Sequence, residues 1–239
     1  MDYEKFLELA KQRRSIRRFK AEPIPDESVD KIIEAARLAP SGFNTQPWEF
    51  VVIRKKELKE GIIEIVRDYT RANLRKIEPM RESWQKDPFQ IKGGPMDWRI
   101  APVFILLMGD TRTTAGLPMT VRFQKETCQS IFTSSLACAF IYMQMAATAL
   151  ALASQWFTFV QFPIVQPQIR ALLGIPEEME LYDMLVVGKG ALKARPKLLR
   201  DKEKMVHYDT SDKEDFRTDE EVRDFIKKSR AWTLGTINR

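Results

Sequence analysis

The chain has 239 residues, of which 44% are hydrophobic and 30% are charged, a composition that excludes a disordered or fibrous protein. The net charge of +6 suits an anionic partner such as a nucleotide phosphate. Basic and acidic residues are mixed along the sequence without a basic array interleaved with aromatic residues, so we expect no nucleic-acid partner.

Reactive side chains are few. Cys128 and Cys138 lie in one apolar segment without the spacing of a metal motif, and a disulfide within one helix is geometrically disfavoured. Buried thiols suit a reducing compartment, so we expect a cytoplasmic protein. His207 is the only histidine, and no metal site is expected. An enzyme with this inventory is expected to take its reactivity from a cofactor.

The first elements in the chain flank a run of arginines. Asp2 is placed to cap a first helix, which leads into Arg13-Arg14-Ser15-Ile16-Arg17-Arg18-Phe19. A second helix is predicted from the apolar spacing of Val29, Ile32, Ile33 and Ala36, and Pro40 ends it. A polar loop of Ser, Gly, Asn and Gln residues follows. We interpret this order as bringing the cationic turn and the polar loop to the same end of one helix.

The remaining sequence alternates helices and strands, without an internal repeat or linker, so we expect a single domain over residues 1–239. Apolar spacing and turn residues predict helices over 58–69, 127–153 and 166–173, and Thr218 and Glu221 form a capping box for a last helix. Strands are predicted over 48–54, 102–108, 155–161 and 181–187. Residues 71–99 are irregular and fit either a lid over a substrate or a plain surface excursion.

The segment between Glu126 and Arg170 contains no charged residue. Residues 131–153 are long enough to cross a bilayer, but they include polar residues such as Ser134, Ser135 and Gln144, without a Lys/Arg asymmetry at the ends. A helix that is apolar all round also suits the centre of a large soluble dimer. We expect the second arrangement and no membrane partner.

The arginine run and the polar loop together suit a ligand with two unlike ends. Guanidinium groups offer forked donors to a phosphate, and the loop offers amide and backbone groups to a planar ring or a polyol. The alternative is a solvated basic face beside an ordinary turn, and composition does not separate the two.

The runs RRSIRRF and IPDESVDKIIEAARLAPSGFNTQPWEFVVI resemble the opening of the nitroreductase superfamily of FMN-dependent oxidoreductases. The resemblance implies an α+β fold, a three-layer sandwich with a central, mostly antiparallel sheet flanked by helices. It also implies an intertwined homodimer with two FMN sites at the subunit interface. The uncharged helix resembles the central dimer helix, and residues 201–239 resemble a C-terminal extension over the partner subunit.

The same resemblance assigns the site residues. It implies an FMN phosphate and ribityl chain beside Arg13, Arg14, Ser15 and Arg17. It implies a flavin ring beside Pro40, Ser41 and Gly42, in related members from the opposite subunit, with Asn44 and Gln46 near the ring or ribityl chain. Near the C-terminus, Lys197 and Arg200 resemble the basic closure that also meets the phosphate, although a solvated basic loop is the alternative there.

The resemblance also implies a backbone N–H donor to the flavin N5 atom, and Val160 and Gln161 are the best match. Here the sequence departs from the family, because residues 150–154 read Leu-Ala-Leu-Ala-Ser in place of Gly-Leu-Gly. Alanines are expected to close off conformations with positive φ. Trp84, Trp98, Phe89 and Phe43 are candidates for an aromatic cover over the ring, each with an ordinary packing role as the alternative.

The expected activity is therefore electron transfer from NADH or NADPH through bound FMN to a small organic acceptor, such as a nitroaromatic or a quinone. No side chain is expected to react, because the flavin carries the chemistry. One alternative is a reductive dehalogenase of the halotyrosine deiodinase type. Ser41-Gly42 resembles that branch, but Glu64 and Tyr69 are one residue further apart than its Glu-x-x-x-Tyr lid motif. The other alternative is a flavin-binding module without turnover.

Overall fold

The computed structural model describes residues 2–77, 80, 97–192 and 196–234. The described residues form two compact units, one before residue 193 and one over 196–234. The helices of the first unit are α1 (Tyr3–Gln12), α2 (Asp26–Arg37), α3 (Lys56–Ile77), α4 (Met119–Arg122), α5 (Lys125–Ala149) and α6 (Val165–Leu173). Its strands are β1 (Trp48–Ile53), β2 (Val103–Asp110), β3 (Ala153–Phe157) and β4 (Met179–Gly188). The second unit contains α7 (Asp219–Leu234).

The four strands form one antiparallel sheet in the order β1-β2-β4-β3. The central strand β2 is buried from Val103 to Gly109, as its continuous apolar run predicts. Side chains alternate between two hydrophobic clusters, one on each face of the sheet. Helices α2 and α5 cover one face, and α3 and α6 cover the other. The predicted three-layer α+β sandwich is therefore confirmed.

Local signals place several helix ends. The Asp2 carboxylate accepts a hydrogen bond of 2.9 Å from the Lys5 backbone N–H at the start of α1. Gly174 ends α6 in the left-handed conformation, with φ of 67°. At the start of α7, the Thr218 N–H donates to the Glu221 carboxylate and the Glu221 N–H donates back to the Thr218 hydroxyl.

The predicted strand over 155–161 is wrong in its second half. Strand β3 ends at Phe157, and residues 159–161 form a 3-10 turn in which the Gln161 N–H donates to the Thr158 carbonyl at 3.1 Å. Aromatic and β-branched residues continue through this stretch, so composition alone does not mark the strand end. Within the described residues, Gln155–Phe157 is therefore the part of the predicted strand that pairs with β4.

The irregular segment 71–99 is only partly described. Residues 71–77 continue α3, and a 3-10 turn covers Asp97–Ile100. Trp98, a candidate for the aromatic cover, is instead a core residue with 3% of its surface exposed, and its ring lies 4.4 Å from that of Phe157. Trp84 and Phe89 lie outside the described residues, and so does most of the segment proposed as a lid.

Helix α5, which begins with the charged pair Lys125 and Glu126 and is uncharged after them, ends at Ala149, four positions before the predicted end. Ala151 then adopts φ of 56°, so the expectation that alanine here excludes positive φ is wrong. The turn is held by its backbone, because the Leu152 N–H donates to the Ala147 carbonyl at 2.8 Å. A short connection to β3 fixes the left-handed residue in spite of its Cβ atom.

Replacing Ala151 with glycine is expected to stabilise the protein by about 1 kcal/mol, because glycine removes the steric penalty of the left-handed conformation. Urea unfolding measures the change. The matched control is Ala149→Gly, two positions earlier at the exposed end of α5, which is expected to cost up to about 1 kcal/mol. Equal destabilisation by both substitutions would contradict the left-handed turn.

Candidate functional site

The arginine run lies along the edge of the sheet beside β3. Ser15 forms a parallel bridge with Ser154, and the Ile16 N–H donates to the Ser154 carbonyl at 2.8 Å. Further along, the Ala191 N–H donates to the Arg18 carbonyl at 2.9 Å, which ties the run to the chain after β4. Backbone hydrogen bonds to β3 and to the chain after β4 therefore hold residues 15–18 in place. The arginines of the run are attached to this ordered backbone.

Arg13 and Arg14 are half-buried neighbours with the same charge. The Arg13 guanidinium donates to the Gln144 side-chain carbonyl of α5 at 3.5 Å. Burial lowers the pKa of Arg13, and burial followed by the charge of Arg13 lowers the pKa of Arg14. Within the described residues neither arginine pairs with a carboxylate, and Arg17 beside them is exposed. Two unneutralised, partly desolvated cations favour binding of an anion, and a phosphate fits this donor set.

The polar loop after α2 rests on α5. The Gly42 N–H donates to the Ser135 hydroxyl at 3.1 Å. A Cβ atom on Gly42 would lie 2.2 Å from Ile131 Cγ2, so only glycine allows this approach without a shift. The Ser41 hydroxyl accepts from the Gln46 N–H at 3.0 Å, and the Gln46 side-chain amide donates to the Asn44 side-chain carbonyl at 3.1 Å.

Three non-glycine residues in this loop have positive φ: Phe43 (53°), Asn44 (56°) and Gln46 (43°). Such conformations are costly and concentrate where a loop must present particular groups. Phe43 is 60% exposed, as a residue that covers a ligand would be before the ligand binds. Pro40, which precedes the loop, is also exposed.

The arginine run and the loop lie apart within one chain. Their contacts on α5, Gln144 and Ser135, are about 13 Å apart along the helix axis at 1.5 Å per residue. Helix α2, whose 12 residues span about 18 Å, lies between the two segments in the chain. The interpretation that they meet at the same end of one helix is therefore wrong, because the arginine run contacts α5 at Gln144 and the loop contacts it at Ser135. One chain presents two separate groups of candidate residues.

The turn proposed to face the flavin N5 atom is tied to the sheet through its side chains. Val160 is fully buried in the hydrophobic cluster beneath α3 and α6, whereas Gln161 beside it is exposed. The Gln161 side-chain amide donates to Asp183 Oδ1 at 2.9 Å, and the Trp156 indole N–H donates to Asp183 Oδ2.

Asp183 was not among the residues predicted from the sequence. The residue is 1% exposed in the middle of β4, and burial raises the pKa of its carboxyl to about 6 against the opposing effect of the hydrogen bonds from Trp156 and Gln161. Burial is also the main cause that raises the pKa of neighbouring Tyr182 to about 12. The sequence signal was a lone acidic residue within an otherwise apolar strand pattern.

The basic closure belongs to the second unit. The Arg200 guanidinium donates to the Lys204 carbonyl at 3.3 Å. Arg200 also lines a cavity of about 340 Å³ together with His207, Asp215 and Arg217. Lys197 lies before Arg200 in a stretch without regular secondary structure. A shared site between these residues and Arg13, Arg14 and Arg17 stays a prediction.

Comparisons with known proteins agree with this architecture. A model of the nitroreductase family matches residues 10–189. The chain is 30% identical over 198 residues to iodotyrosine deiodinase 1 of Rattus norvegicus, covering 79% of this chain and 63% of the relative. It is 32% identical over 189 residues to iodotyrosine deiodinase of Drosophila melanogaster, covering 77% and 62%. The chain thus spans less than two thirds of the length of these relatives.

Solved structures show the same fold. Nitroreductase CinD from Lactococcus lactis in complex with nicotinic acid superposes with a TM-score of 0.69 at 18% identity, covering 86% of this chain and 100% of that one. A nitroreductase with bound FMN from Bacteroides fragilis gives 0.56 at 24% identity, covering 86% and 96%. The family match extends over most of the described first unit, from the end of α1 to the end of β4. The chain belongs to the nitroreductase family.

Proposed function

We propose that the protein is an FMN-dependent oxidoreductase that transfers electrons from NADH or NADPH to a small organic acceptor, such as a nitroaromatic or a quinone. The observation that carries this proposal is the pair of half-buried arginines, Arg13 and Arg14, without a carboxylate partner in the described structure. They would hold the FMN phosphate together with Ser15 and Arg17, and Lys197 and Arg200 would close over it.

The other candidate residues would hold the ring. The loop from Pro40 to Gln46 offers the Ser41 hydroxyl and the Asn44 and Gln46 amides. The hydrogen bond from Gly42 to Ser135 holds this loop against α5. The turn containing Val160 and Gln161 would supply a backbone N–H donor to N5, and the Gln161 N–H, which donates to the Thr158 carbonyl in the single chain, would then share its hydrogen bond between the two acceptors. Bound FMN supplies hydride acceptance and electron release, so the protein has only to bind, orient and shield the ring.

The proposed site needs two copies of the chain. Helix α5 is, within the described residues, long and apolar enough by composition to cross a membrane, yet only 44% of its most apolar window is buried. Its outward face carries residues such as Ile141, Tyr142 and Met145, and Tyr142 is 41% exposed. A partner's α5 packed on this face would cover it. The arginine run of one chain would then approach the loop of the other, and residues 201–239 would extend over the partner.

A second candidate is reductive dehalogenation of a halotyrosine, favoured by the identity of about 30% to iodotyrosine deiodinases. Glu64 and Tyr69, the residues compared with that lid motif, lie in α3 and contact other side chains there and in the turn before α6. Glu64 accepts from the Arg67 guanidinium at 3.3 Å, and the Tyr69 ring packs 4.9 Å from that of Phe162. We therefore place general acceptor reduction first.

The visible absorption spectrum of the purified protein tests the proposal, followed by anaerobic titration with NADH and NADPH. A flavin spectrum that bleaches with either nicotinamide and recovers with a nitroaromatic or quinone is expected. Recovery only with iodotyrosine would support the dehalogenase, and a flavin that never bleaches would support a binding module. A colourless protein that takes up no added FMN would refute all three.

A further inference from the structure

The Asp183 carboxyl joins three parts of the first unit. It lies on β4, and its two oxygens accept from Trp156 on β3 and from Gln161 in the turn that follows β3. That turn is also tied forward, because the Gln166 side-chain amide of α6 donates to the Gln161 carbonyl at 3.1 Å. The position of residues 159–161 relative to the sheet therefore depends on the carboxyl.

The Trp156 indole depends on Asp183 as its hydrogen-bond acceptor. An indole N–H can only donate, and the Trp156 ring is fixed by packing against Phe140 at 4.3 Å between ring centroids. Without an acceptor at position 183, this N–H would be a partly buried donor that has lost its partner, which is costly. The network holds a side chain rigidly where an apolar residue would fill the same strand position at lower desolvation cost.

We propose that Asp183 is a positioning residue for the flavin, whose buried carboxylate fixes the 159–161 turn through Gln161 and Trp156 and lowers the reduction potential of the ring that the turn faces. This inference rests on the proposed function. A negative charge in a poorly solvated site opposes the arrival of electrons nearby, so its removal raises the potential.

The carboxyl also titrates in an accessible range, since burial raises its pKa to about 6. Among the described residues, the other titratable groups of this network are Tyr182 on the same strand and Cys138, which interacts with Tyr182 from α5. Burial raises the pKa of Tyr182 to about 12, so the tyrosine stays neutral in this range. A protonated Asp183 would donate its O–H to the Gln161 side-chain carbonyl after rotation of that amide, while Trp156 continues to donate to the other oxygen.

The first experiment measures the Asp183–Trp156 hydrogen bond directly and needs no activity assay. The ¹⁵N–¹H signal of the Trp156 indole is followed by NMR against pH in the full-length protein as purified, and it is assigned as the signal that Trp156→Phe removes. A shift with an apparent pKa near 6 that Asp183→Asn abolishes is expected. An indole signal that does not move, or that moves equally in Asp183→Asn, would overturn the proposal.

The second experiment measures the midpoint potential of bound FMN in wild type, Asp183→Asn and Trp156→Phe. Asp183→Asn removes the charge and keeps the side-chain shape, whereas Trp156→Phe removes one hydrogen bond and keeps the charge. We expect Asp183→Asn to raise the ratio of reduced to oxidised flavin about tenfold at a fixed potential, equal to about 30 mV for a two-electron couple. Trp156→Phe should change it less.

The outcomes separate this inference from the proposed function. Equal potentials in wild type and Asp183→Asn, both loaded with FMN, overturn the role of Asp183 and leave the proposed function intact. Wild type that takes up no FMN overturns the proposed function and this inference with it. Thermal unfolding of each variant shows whether a lost flavin reflects a lost fold, and Asp183→Glu, which keeps the charge, should retain the wild-type potential more closely than Asp183→Asn.

Discussion

Replacing Arg14 and Arg17 together with alanine is expected to weaken FMN binding by 100-fold or more, while each single substitution weakens it about tenfold or more. A hydrogen bond between charged groups contributes about 1.5–3 kcal/mol, and each 1.4 kcal/mol is a factor of about ten in the dissociation constant. Arg14 is already partly desolvated beside Arg13, so that binding a phosphate adds less desolvation cost than it would at a fully exposed arginine.

Fluorescence titration of flavin-free protein with FMN measures this change. The matched control is Arg37→Ala, an exposed arginine at the end of α2 that pairs with Glu34 and should leave the affinity unchanged. Because the interaction is with a phosphate, the wild-type affinity for riboflavin, which lacks that group, should be close to the affinity of the double variant for FMN. Full flavin content in both single variants would show that the phosphate lies elsewhere.

The second large effect is expected from a charge on the outward face of α5. Ile141→Glu should convert the proposed dimer to monomers and remove bound flavin, because an unpaired carboxylate would have to be buried between two helices. The natural sequence avoids this cost completely, with no charged residue between Glu126 and Arg170. A monomer would keep its own fold, since the two hydrophobic clusters lie within one chain.

Light scattering on a size-exclusion column reports the mass of the Ile141→Glu variant, and its absorbance reports the flavin. Ile141→Val is the control, since it keeps the face apolar and should remain dimeric with full flavin content. A flavin-loaded monomer would contradict the requirement for two chains. A dimer with normal flavin would show that this face of α5 is not the interface.

Elements with strong local signals could be predicted from the sequence. The continuous apolar run of β2 identified a strand buried on both faces, and the Thr218/Glu221 capping box located the start of α7. These features depend on residues close together in the chain. The two runs at residues 13–19 and 24–53 likewise identified the family, because the order of their residues along the sequence is itself the signal.

Features set by tertiary contacts could not be predicted in the same way. Ala151 takes a left-handed conformation that its own side chain disfavours, because the connection from α5 to β3 requires it. The separation of the arginine run from the polar loop depends on where each contacts α5, through Gln144 and Ser135. Asp183 accepts hydrogen bonds from Trp156 and Gln161, which are distant from it in the sequence and come close to it only in the folded chain.

The central claim is that each FMN site combines the arginine run of one chain with the Ser41-Gly42 loop of another. Co-expression of two differently tagged chains tests it, one carrying Arg14→Ala with Arg17→Ala and the other carrying Gly42→Val, which displaces the loop from Ile131. Either variant alone should be nearly free of flavin. In the purified mixed dimer, one site combines both defects and the other combines the intact arginines with the intact loop. We expect one FMN per mixed dimer, and a mixed dimer that remains free of flavin would contradict the account.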